Sequence, residues 1–164
     1  MIVSLIAVVD ANMGIGYRGD QLIYIPEDLK RFKAITTGHT IVMGRKTSEA
    51  LPKGMLAKRR NIVMSRNQSE WPETMLVASS VEQVMALCQE EDEIFIIGGG
   101  EVYRAFLSVA NRLYITHIHH AFDQVDTFFP EVDPHQWTVI KHYEPLTDEK
   151  SGLQFQYIDY ARVK

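Results

Sequence analysis

The sequence predicts an α/β protein built on one mainly parallel sheet. Short apolar runs alternate with amphipathic helical patterns along most of the chain, which is typical of strand–helix–strand units. The first run, Ile2–Val9, is almost continuously aliphatic and β-branched, as in a strand buried on both faces. The last two runs have no helical pattern between them, so we expect an antiparallel hairpin at one edge of the sheet.

Length and composition favour a single domain covering residues 1–164. A chain of 164 residues with 46% apolar side chains can bury one sizeable core. The net charge of −4 is spread along the chain and suggests no nucleic-acid or membrane partner. The lone cysteine, Cys88, lies on an apolar helical stripe and indicates a core residue in a reducing compartment. No run is long enough to span a bilayer, so we expect a cytoplasmic protein.

The first half of the chain is punctuated by glycine and proline. Three glycines between residues 10 and 20 predict an irregular loop rather than a regular element. Pro26 suits the first position of a helix that runs to about Thr37 and ends at Gly38. A strand over 40–43 then leads into a short helix that ends before Pro52.

The second half continues the alternation. Ser79 or Ser80, followed by Glu82 or Gln83, fits the capping box of a helix. A second helix is predicted over 101–109. The remaining predicted strands span 61–65, 75–78, 93–97, 112–119, 137–143 and 153–163.

Asp28 is a candidate proton donor. It shares one face of its helix with Phe32, whereas Glu27 points toward Lys30 and Arg31 on what we expect to be a solvated ion-pair face. A carboxylate on an apolar face has its pKa raised by desolvation, which suits it to proton delivery near neutral pH. The alternative is that both acids only favour the positive end of the helix dipole.

Gly98, Gly99 and Gly100 form a candidate anion site. They follow a buried strand and precede a helix, where free backbone N–H groups and the helix dipole favour a phosphate. The segment does not fit the G-x-G-x-x-G pattern, because position 103 is tyrosine. A tight strand-to-helix turn is the alternative interpretation.

Two strand ends carry arginines, at Gly44-Arg45 and Ser65-Arg66. Dinucleotide sites that prefer NAD place an acid at such a position, and those that prefer NADP place an arginine for the 2′-phosphate. Either arginine alone is more often a surface residue. The pair, with the glycine turn and without an acid, favours NADP.

The histidines do not predict a metal site. His117 and His119 share a face of one strand and could pair on a metal. No cysteine joins them, and no His-Glu-x-x-His occurs, so a structural or solvent-facing role is favoured. The sequence also lacks the Gly-x-Ser-x-Gly and P-loop motifs.

Seven ordered segments match one known family at its own spacing. They are 4–7 (Ser-Leu-Ile-Ala), 14–16 (Gly-Ile-Gly), 25–29 (Ile-Pro-Glu-Asp-Leu), 41–47 (Ile-Val-Met-Gly-Arg-Lys-Thr), 59–63 (Arg-Arg-Asn-Ile-Val), 96–103 (Ile-Ile-Gly-Gly-Gly-Glu-Val-Tyr) and 113–116 (Leu-Tyr-Ile-Thr). Through them the chain resembles the bacterial dihydrofolate reductases over essentially its whole length. The resemblance implies eight mostly parallel strands with an antiparallel C-terminal strand, four helices, and an adenosine-binding part at roughly 39–90. It also implies a monomer that uses NADPH to reduce 7,8-dihydrofolate and binds antifolates.

The same resemblance implies roles for single residues in the substrate site. Asp28 would hold the pterin and promote protonation at its N5, with Thr116 joining through water. Arg59 would grip the glutamate carboxylate, a task that suits a planar two-pronged donor. The other implied substrate contacts are Ile6, Ala7, Leu29, Phe32, Leu51, Leu56, Ile97 and Tyr103.

For the cofactor, the resemblance implies a cis peptide between Gly98 and Gly99 and a glycine-containing lid at 10–20. The implied NADPH contacts are Ala7, Ile15, Gly16, Gly44, Arg45, Lys46, Thr47, Ser65, Arg66, Gly98, Gly99, Gly100, Glu101, Val102 and Tyr103. The chain departs from the family at Ile23, where tryptophan is usual; Leu22, Tyr24 and Gln21 also replace commoner residues.

Two other functions stay open at this point. One is a reductase of the same fold that acts on a ribosylamino-pyrimidine of riboflavin synthesis, which would not need Asp28 and Arg59 in these places. The other is a nucleotide- or folate-binding protein without turnover, which the intact Asp28 and paired glycines disfavour.

Overall fold

The structure, a computed structural model, describes residues 1–67 and 71–164. Its strands are β1 (Ile2–Val9), β2 (Gly14–Tyr17), β3 (Asp20–Gln21), β4 (Thr40–Gly44), β5 (Arg60–Met64), β6 (Leu76–Ala78), β7 (Glu93–Gly98), β8 (Arg112–Ile118), β9 (Thr127–Phe128), β10 (Trp137–His142), β11 (Leu146–Thr147) and β12 (Gln154–Arg162). Its helices are α1 (Pro26–Thr36), α2 (Arg45–Ala50), α3 (Val81–Leu87) and α4 (Gly100–Leu107).

One mixed sheet organises the molecule. Eight strands follow the order β10-β12-β8-β1-β7-β4-β5-β6, and the two-residue β11 adds to β12. The pairs from β8 to β6 are all parallel, and β12 runs antiparallel to both β8 and β10. The predicted fold class and the edge hairpin are therefore confirmed.

The alternating side chains of β1 explain the layers around the sheet. Val3 and Leu5 point into an apolar cluster that also contains Val102 and Phe106 of α4. Ile6 points the other way, into a cluster with Phe32 of α1. The central strands are thus buried between helices on both faces, as their continuous apolar sequence predicts.

The structure confirms the predicted start and end of α1 and the predicted cap of α3. Pro26 occupies the first turn of α1, and Gly38 follows the helix with a φ of +86°. Ser80 is the N-cap of α3 and accepts a hydrogen bond from the Gln83 N–H at 3.1 Å. In the part of the chain that the structure describes, no helix combines the length and apolar character needed to cross a membrane.

The prediction of an irregular loop at 10–20 is wrong. Residues 14–17 form β2, which pairs with β3 and with the distant β9 in a second, three-stranded sheet. The side chain of Asp10 closes the preceding turn by accepting hydrogen bonds from the N–H groups of Asn12 and Gly14, at 2.9 and 2.7 Å. Sequence pattern missed this sheet because its partner strand, β9, is only two residues long and lies more than a hundred residues away.

Candidate active site

A cavity of about 1320 Å³ opens at the carboxyl ends of the parallel strands. This is where ligands bind in open α/β sheets, because loops and helix N-termini converge there. The structure brings together every residue that the sequence pointed to, since all of them line this cavity: Ile6, Ala7, Ile15, Gly16, Asp28, Leu29, Phe32, Gly44, Arg45, Lys46, Thr47, Leu51, Leu56, Arg59, Ser65, Arg66, Ile97, Gly98, Gly99, Gly100, Glu101, Val102, Tyr103 and Thr116.

Asp28 lies half-buried on the cavity wall, two residues into α1. The hydroxyl of Thr116 on β8 donates a hydrogen bond directly to its Oδ1 at 2.6 Å, so the implied link through a water molecule is wrong for this pair. Burial raises the pKa of the Asp28 carboxyl, and the hydrogen bond from Thr116 and the charge of Arg31 oppose that rise. Asp28 is therefore a carboxyl group whose proton is held more tightly than usual, as its place on an apolar helix face predicts.

The raised pKa of Asp28 predicts that the Asp28→Asn variant is more stable than the wild type at pH 8. Folding raises this pKa above its value in the unfolded chain, so ionisation costs stability as the pH rises above the unfolded value, and the full cost is present above the raised folded value. We expect a gain of about 1 kcal/mol in the free energy of unfolding, typical when a functional charge is neutralised. Thermal unfolding at several pH values measures it. The gain should fade as the pH falls through the raised pKa; an equal melting temperature for both proteins at pH 8 would contradict the prediction.

The predicted solvated ion-pair face of α1 is wrong for Arg31. Its Nη2 donates to Oδ1 of Asp159 on β12 at 3.0 Å, and both side chains are largely buried, with 17% and 10% of their surface exposed. Glu27 is exposed. Helix periodicity placed Arg31 beside Glu27, but two residues of β12, Asp159 and Tyr157, lie against its guanidinium and supply a carboxylate and an aromatic ring.

The region around Asp28 is closed by apolar and aromatic side chains. Phe32 is half-buried and packs with the cluster that holds Ile6. Tyr103 of α4 is buried, and its hydroxyl donates to the backbone oxygen of Ile6 at 2.7 Å. Burial, and secondarily the charge of Asp28, raise the pKa of Tyr103, so the phenol stays neutral. On this side of the cavity Asp28 thus has apolar and neutral aromatic neighbours.

Arg59 marks the outer end of the same wall. Its Nε donates to the Ala57 carbonyl oxygen at 2.9 Å and its Nη1 to Thr36 Oγ1 at 3.2 Å. Partial burial lowers the pKa of its guanidinium. No ion pair to a carboxylate is found for Arg59 within residues 1–67 and 71–164. The two anchoring bonds therefore hold a guanidinium at the cavity mouth with its charge available to an acidic ligand.

The glycine turn makes a narrow passage between β4, β7 and α4. A Cβ on Gly44 would lie 3.0 Å from Cγ2 of Val102, and one on Gly98, whose φ is +128°, would lie 3.3 Å from the Tyr103 hydroxyl. The peptide between Gly98 and Gly99 is cis, as the resemblance implied. Side chains are excluded here, so the backbone N–H groups that open α4 face the cavity directly.

The far end of the cavity is basic. Arg45, Lys46 and Arg66 are exposed around the ends of β4 and β5, and Arg45 Nε donates to Glu49 Oε1 at 2.9 Å. Ser65 lies between them, half-buried, with its N–H bonded to the Ala78 carbonyl oxygen. Three cations with a hydroxyl neighbour form a surface suited to a phosphate group.

The segment 10–20, which the resemblance implies is a lid, is bonded to a residue that the sequence analysis did not identify. Asp126 accepts from the Arg18 N–H at 2.9 Å through Oδ2 and from the Thr127 hydroxyl at 2.8 Å through Oδ1. These bonds, led by the one from the Arg18 backbone, lower the pKa of Asp126. Residues 126–128 carry no pattern that marks them as part of a site; only their pairing with the lid brings them to the cavity.

Other cavity residues also escaped prediction. Asp10 is buried and accepts a third hydrogen bond, from the Phe122 N–H at 3.0 Å. An aspartate at the end of a buried strand, before a glycine-containing turn, is a signal that could have identified it. The hydroxyl of Tyr24 is bonded to the Asp20 side chain, and burial together with this bond raises the pKa of Tyr24 to about 12.

Three comparisons with known proteins agree with this geometry. A family model described as dihydrofolate reductase matches residues 2–162. The dihydrofolate reductase of Bacillus subtilis is 36% identical over 160 residues, covering 98% of this chain and 94% of that one. The type 3 dihydrofolate reductase of Salmonella typhimurium is 37% identical over 166 aligned residues, with 100% of both chains covered. A solved dihydrofolate reductase of Enterococcus faecalis, complexed with NADP(H) and RAB-propyl, has a TM-score of 0.89 and 33% identity, covering 99% of this chain and 97% of that one.

Proposed function

This chain belongs to the dihydrofolate reductase family, and on that premise we propose that Asp28 promotes protonation of the substrate in its reaction. The protein is an NADPH-dependent enzyme that reduces 7,8-dihydrofolate to 5,6,7,8-tetrahydrofolate. The reduction needs a hydride and a proton at neighbouring atoms of the pterin, C6 and N5. NADPH supplies the hydride when it is bound, and the chain must supply or relay the proton.

The observation that carries the proposal is the single carboxyl group at the apolar end of the cavity. Among the described residues of α1, β8 and the turn at 98–100, Asp28 is the one Asp or Glu that lines the cavity; Glu101 lines it from α4. Its raised pKa keeps a larger fraction of it protonated near neutral pH than an exposed aspartate would be. The Thr116 hydroxyl fixes the orientation of Oδ1, which leaves Oδ2 for the pterin. In its ionised form the same group can accept hydrogen bonds from N3 and the 2-amino group.

The shape of the cavity supports the assignment of the two ligands to its two ends. The glycine turn, where a Cβ on Gly44 or Gly98 would meet Val102 or Tyr103, leaves room for a flat ring close to the backbone. Arg45, Lys46, Thr47, Ser65 and Arg66 would then hold the phosphates of NADPH. Arg59 would hold the glutamate of dihydrofolate at the opposite mouth.

Three broader features belong to the same proposal. Residues 1–164 act as one domain, in which roughly 39–90 carry the adenosine end of the cofactor. The enzyme works in the cytoplasm as a monomer; a single free cysteine, Cys88, fits the reducing compartment. Antifolates compete for the cavity between Asp28 and Arg59, because a protonated heterocycle would pair with the same carboxylate.

A steady-state assay tests the assignment of the cofactor end. The wild type should oxidise NADPH in the presence of dihydrofolate, and the Arg66→Gln variant should raise the KM for NADPH about tenfold, the size expected for one lost charge-assisted contact. NADH is the built-in control, because it lacks the 2′-phosphate and its KM should stay unchanged. No oxidation with dihydrofolate, but turnover with a ribosylamino-pyrimidine, would move the chain to the riboflavin-type reaction.

A further inference from the structure

We propose that Arg31 is a positioning residue whose charge controls the protonation of Asp28, and that Asp159 and Tyr157 of β12 hold it in place for this task. The inference rests on the proposed role of Asp28 as the group that promotes substrate protonation. It assigns a part in the reaction to an ion pair that lies outside the predicted substrate and cofactor contacts.

Arg31 is held from three directions. Its Nη2 lies 3.0 Å from Oδ1 of Asp159, with both side chains largely buried. Its guanidinium carbon lies 4.2 Å from the ring centre of Tyr157 and 5.3 Å from that of Tyr143. The Tyr143 hydroxyl donates to the other oxygen of Asp159 at 3.2 Å. A cation stacked on aromatic rings and paired with a fixed carboxylate has little freedom to move.

Helix α1 and strands β8 and β12 link the guanidinium of Arg31 to Asp28. Arg31 follows Asp28 by three positions on α1, so the two side chains are neighbours on the helix surface. Both residues also line the cavity. Tyr157, under the guanidinium, is paired in register with Thr116, which donates to Asp28. One helix and two adjacent strands therefore fix the spacing between the positive charge and the carboxyl group.

The charge acts on Asp28 against the effect of burial. Burial raises the pKa of Asp28, whereas the positive charge of Arg31 lowers it. The other titratable side chains that interact with Asp28 are Tyr103 of α4 and Tyr157 of β12, and burial keeps both phenols neutral. Arg31 is thus the charged side chain that opposes the effect of burial on the pKa of Asp28.

Neutralising Arg31 and neutralising Asp159 should shift proton binding by Asp28 in opposite directions. Removing Arg31 takes away a positive charge and leaves the negative Asp159 uncompensated, so Asp28 should bind its proton more tightly. Removing the charge of Asp159 leaves Arg31 uncompensated on the Tyr157 ring, so Asp28 should release its proton more easily. A role limited to holding β12 against α1 predicts loss of stability in both variants and no opposite shifts.

The test is the pH dependence of the single-turnover rate of hydride transfer, together with NMR titration of the Asp28 carboxyl carbon in the NADP⁺-bound enzyme. We expect the midpoints of the rate profile and of the Asp28 titration to rise by about half a pH unit in Arg31→Gln. Both midpoints should fall by a similar amount in Asp159→Asn, as expected for charges separated by one helical turn near a protein surface. The midpoints of Arg31→Lys and of the double variant Arg31→Gln/Asp159→Asn should both lie nearer the wild-type midpoint. Tyr157→Phe is the matched control, because it keeps the ring and removes a hydroxyl that has no partner among the described residues.

Identical midpoints in all variants, with only lower melting temperatures, would overturn the inference. If Arg31→Gln does not fold, the comparison of Asp159→Asn with the wild type decides the question in the same way. The NMR titration separates the two proposals. Opposite shifts of the carboxyl titration with an unchanged rate profile would keep the electrostatic link but remove Asp28 from the protonation step, which would be the failure of the proposed function. A rate profile that depends on Asp28 but not on Arg31 would be the failure of this inference alone.

Discussion

Replacing Asp28 with asparagine should lower the rate of dihydrofolate reduction at pH 7 by about 10²- to 10³-fold, within the range that a positioned acid contributes. Asparagine keeps the shape of the side chain and can still accept from the Thr116 hydroxyl, so the cavity should survive. What it removes is the ability to carry a proton. Stopped-flow measurement of NADPH oxidation across a pH series gives the rate of hydride transfer. We expect activity to return partly in acid, where solvent protonates the substrate directly.

The neighbouring carboxylate provides the control for Asp28. Glu27 precedes it on α1 but is exposed and does not line the cavity, so Glu27→Gln should keep the wild-type rate and pH profile. An Asp28→Asn enzyme with the wild-type rate at pH 7 would remove Asp28 from the protonation step. A Glu27→Gln enzyme with a similar loss would show that charge on α1, rather than the Asp28 side chain, is what the reaction needs.

Replacing Arg59 with glutamine should raise the KM for dihydrofolate about 100-fold, with little change in the rate of hydride transfer. A bidentate pair between a guanidinium and a carboxylate is worth about 2–3 kcal/mol, which corresponds to that ratio. In the proposed role, a contact between Arg59 and the glutamate would act equally on the ground state and the transition state, so its loss should weaken binding rather than the chemical step. Arg59→Lys should recover only part of the loss, because an ammonium cannot make the two-pronged contact.

Two controls make the Arg59 experiment specific. Arg60 is the adjacent residue, but its guanidinium is bonded to the Leu87 carbonyl oxygen and to Glu91 on the other side of the sheet, so Arg60→Gln should leave the KM unchanged. A dihydropterin without the benzoylglutamate tail should bind equally to the wild type and to Arg59→Gln. A loss of affinity for this truncated substrate as well would mean that Arg59 supports the pocket instead of holding the tail.

The parts of the site that were predictable from sequence are those made by local chain geometry. Asp28 could be placed on an apolar helix face because 3.6-residue periodicity and the Pro26 signal fix both the helix and its rotation. The turn at 98–100 could be placed between strand and helix because only glycine tolerates such close backbone approach. The arginine-bearing ends of β4 and β5 meet at the cavity because the carboxyl ends of parallel strands share one edge.

Helix periodicity gave the wrong ion-pair partner for Arg31, because it takes no account of carboxylates from distant segments. Arg31 has Glu27 four positions before it on the same helix, and helix geometry alone favours that pair. The structure pairs Arg31 with Asp159, 128 residues away, because the fold brings this residue of β12 to the guanidinium and leaves both side chains largely buried. At this largely buried position, Asp159 and the Tyr157 ring stabilise the Arg31 guanidinium better than the exposed Glu27 can.

The lid shows the same division. Its glycines and its position after β1 are visible in the sequence, and the structure places Gly14, Ile15 and Gly16 on the cavity wall. Its pairing with β9, and the hydrogen bond from the Arg18 N–H to Asp126, depend on a contact across 108 positions. A local pattern records the conformations that a short segment prefers, whereas a contact of this kind depends on which distant segment the sheet topology brings within reach. The position of Asp28 on its helix, the glycine turn and the fold class are therefore set by local preference. The pairing of Arg31 with Asp159 and the pairing of residues 14–17 with β9 are set by packing.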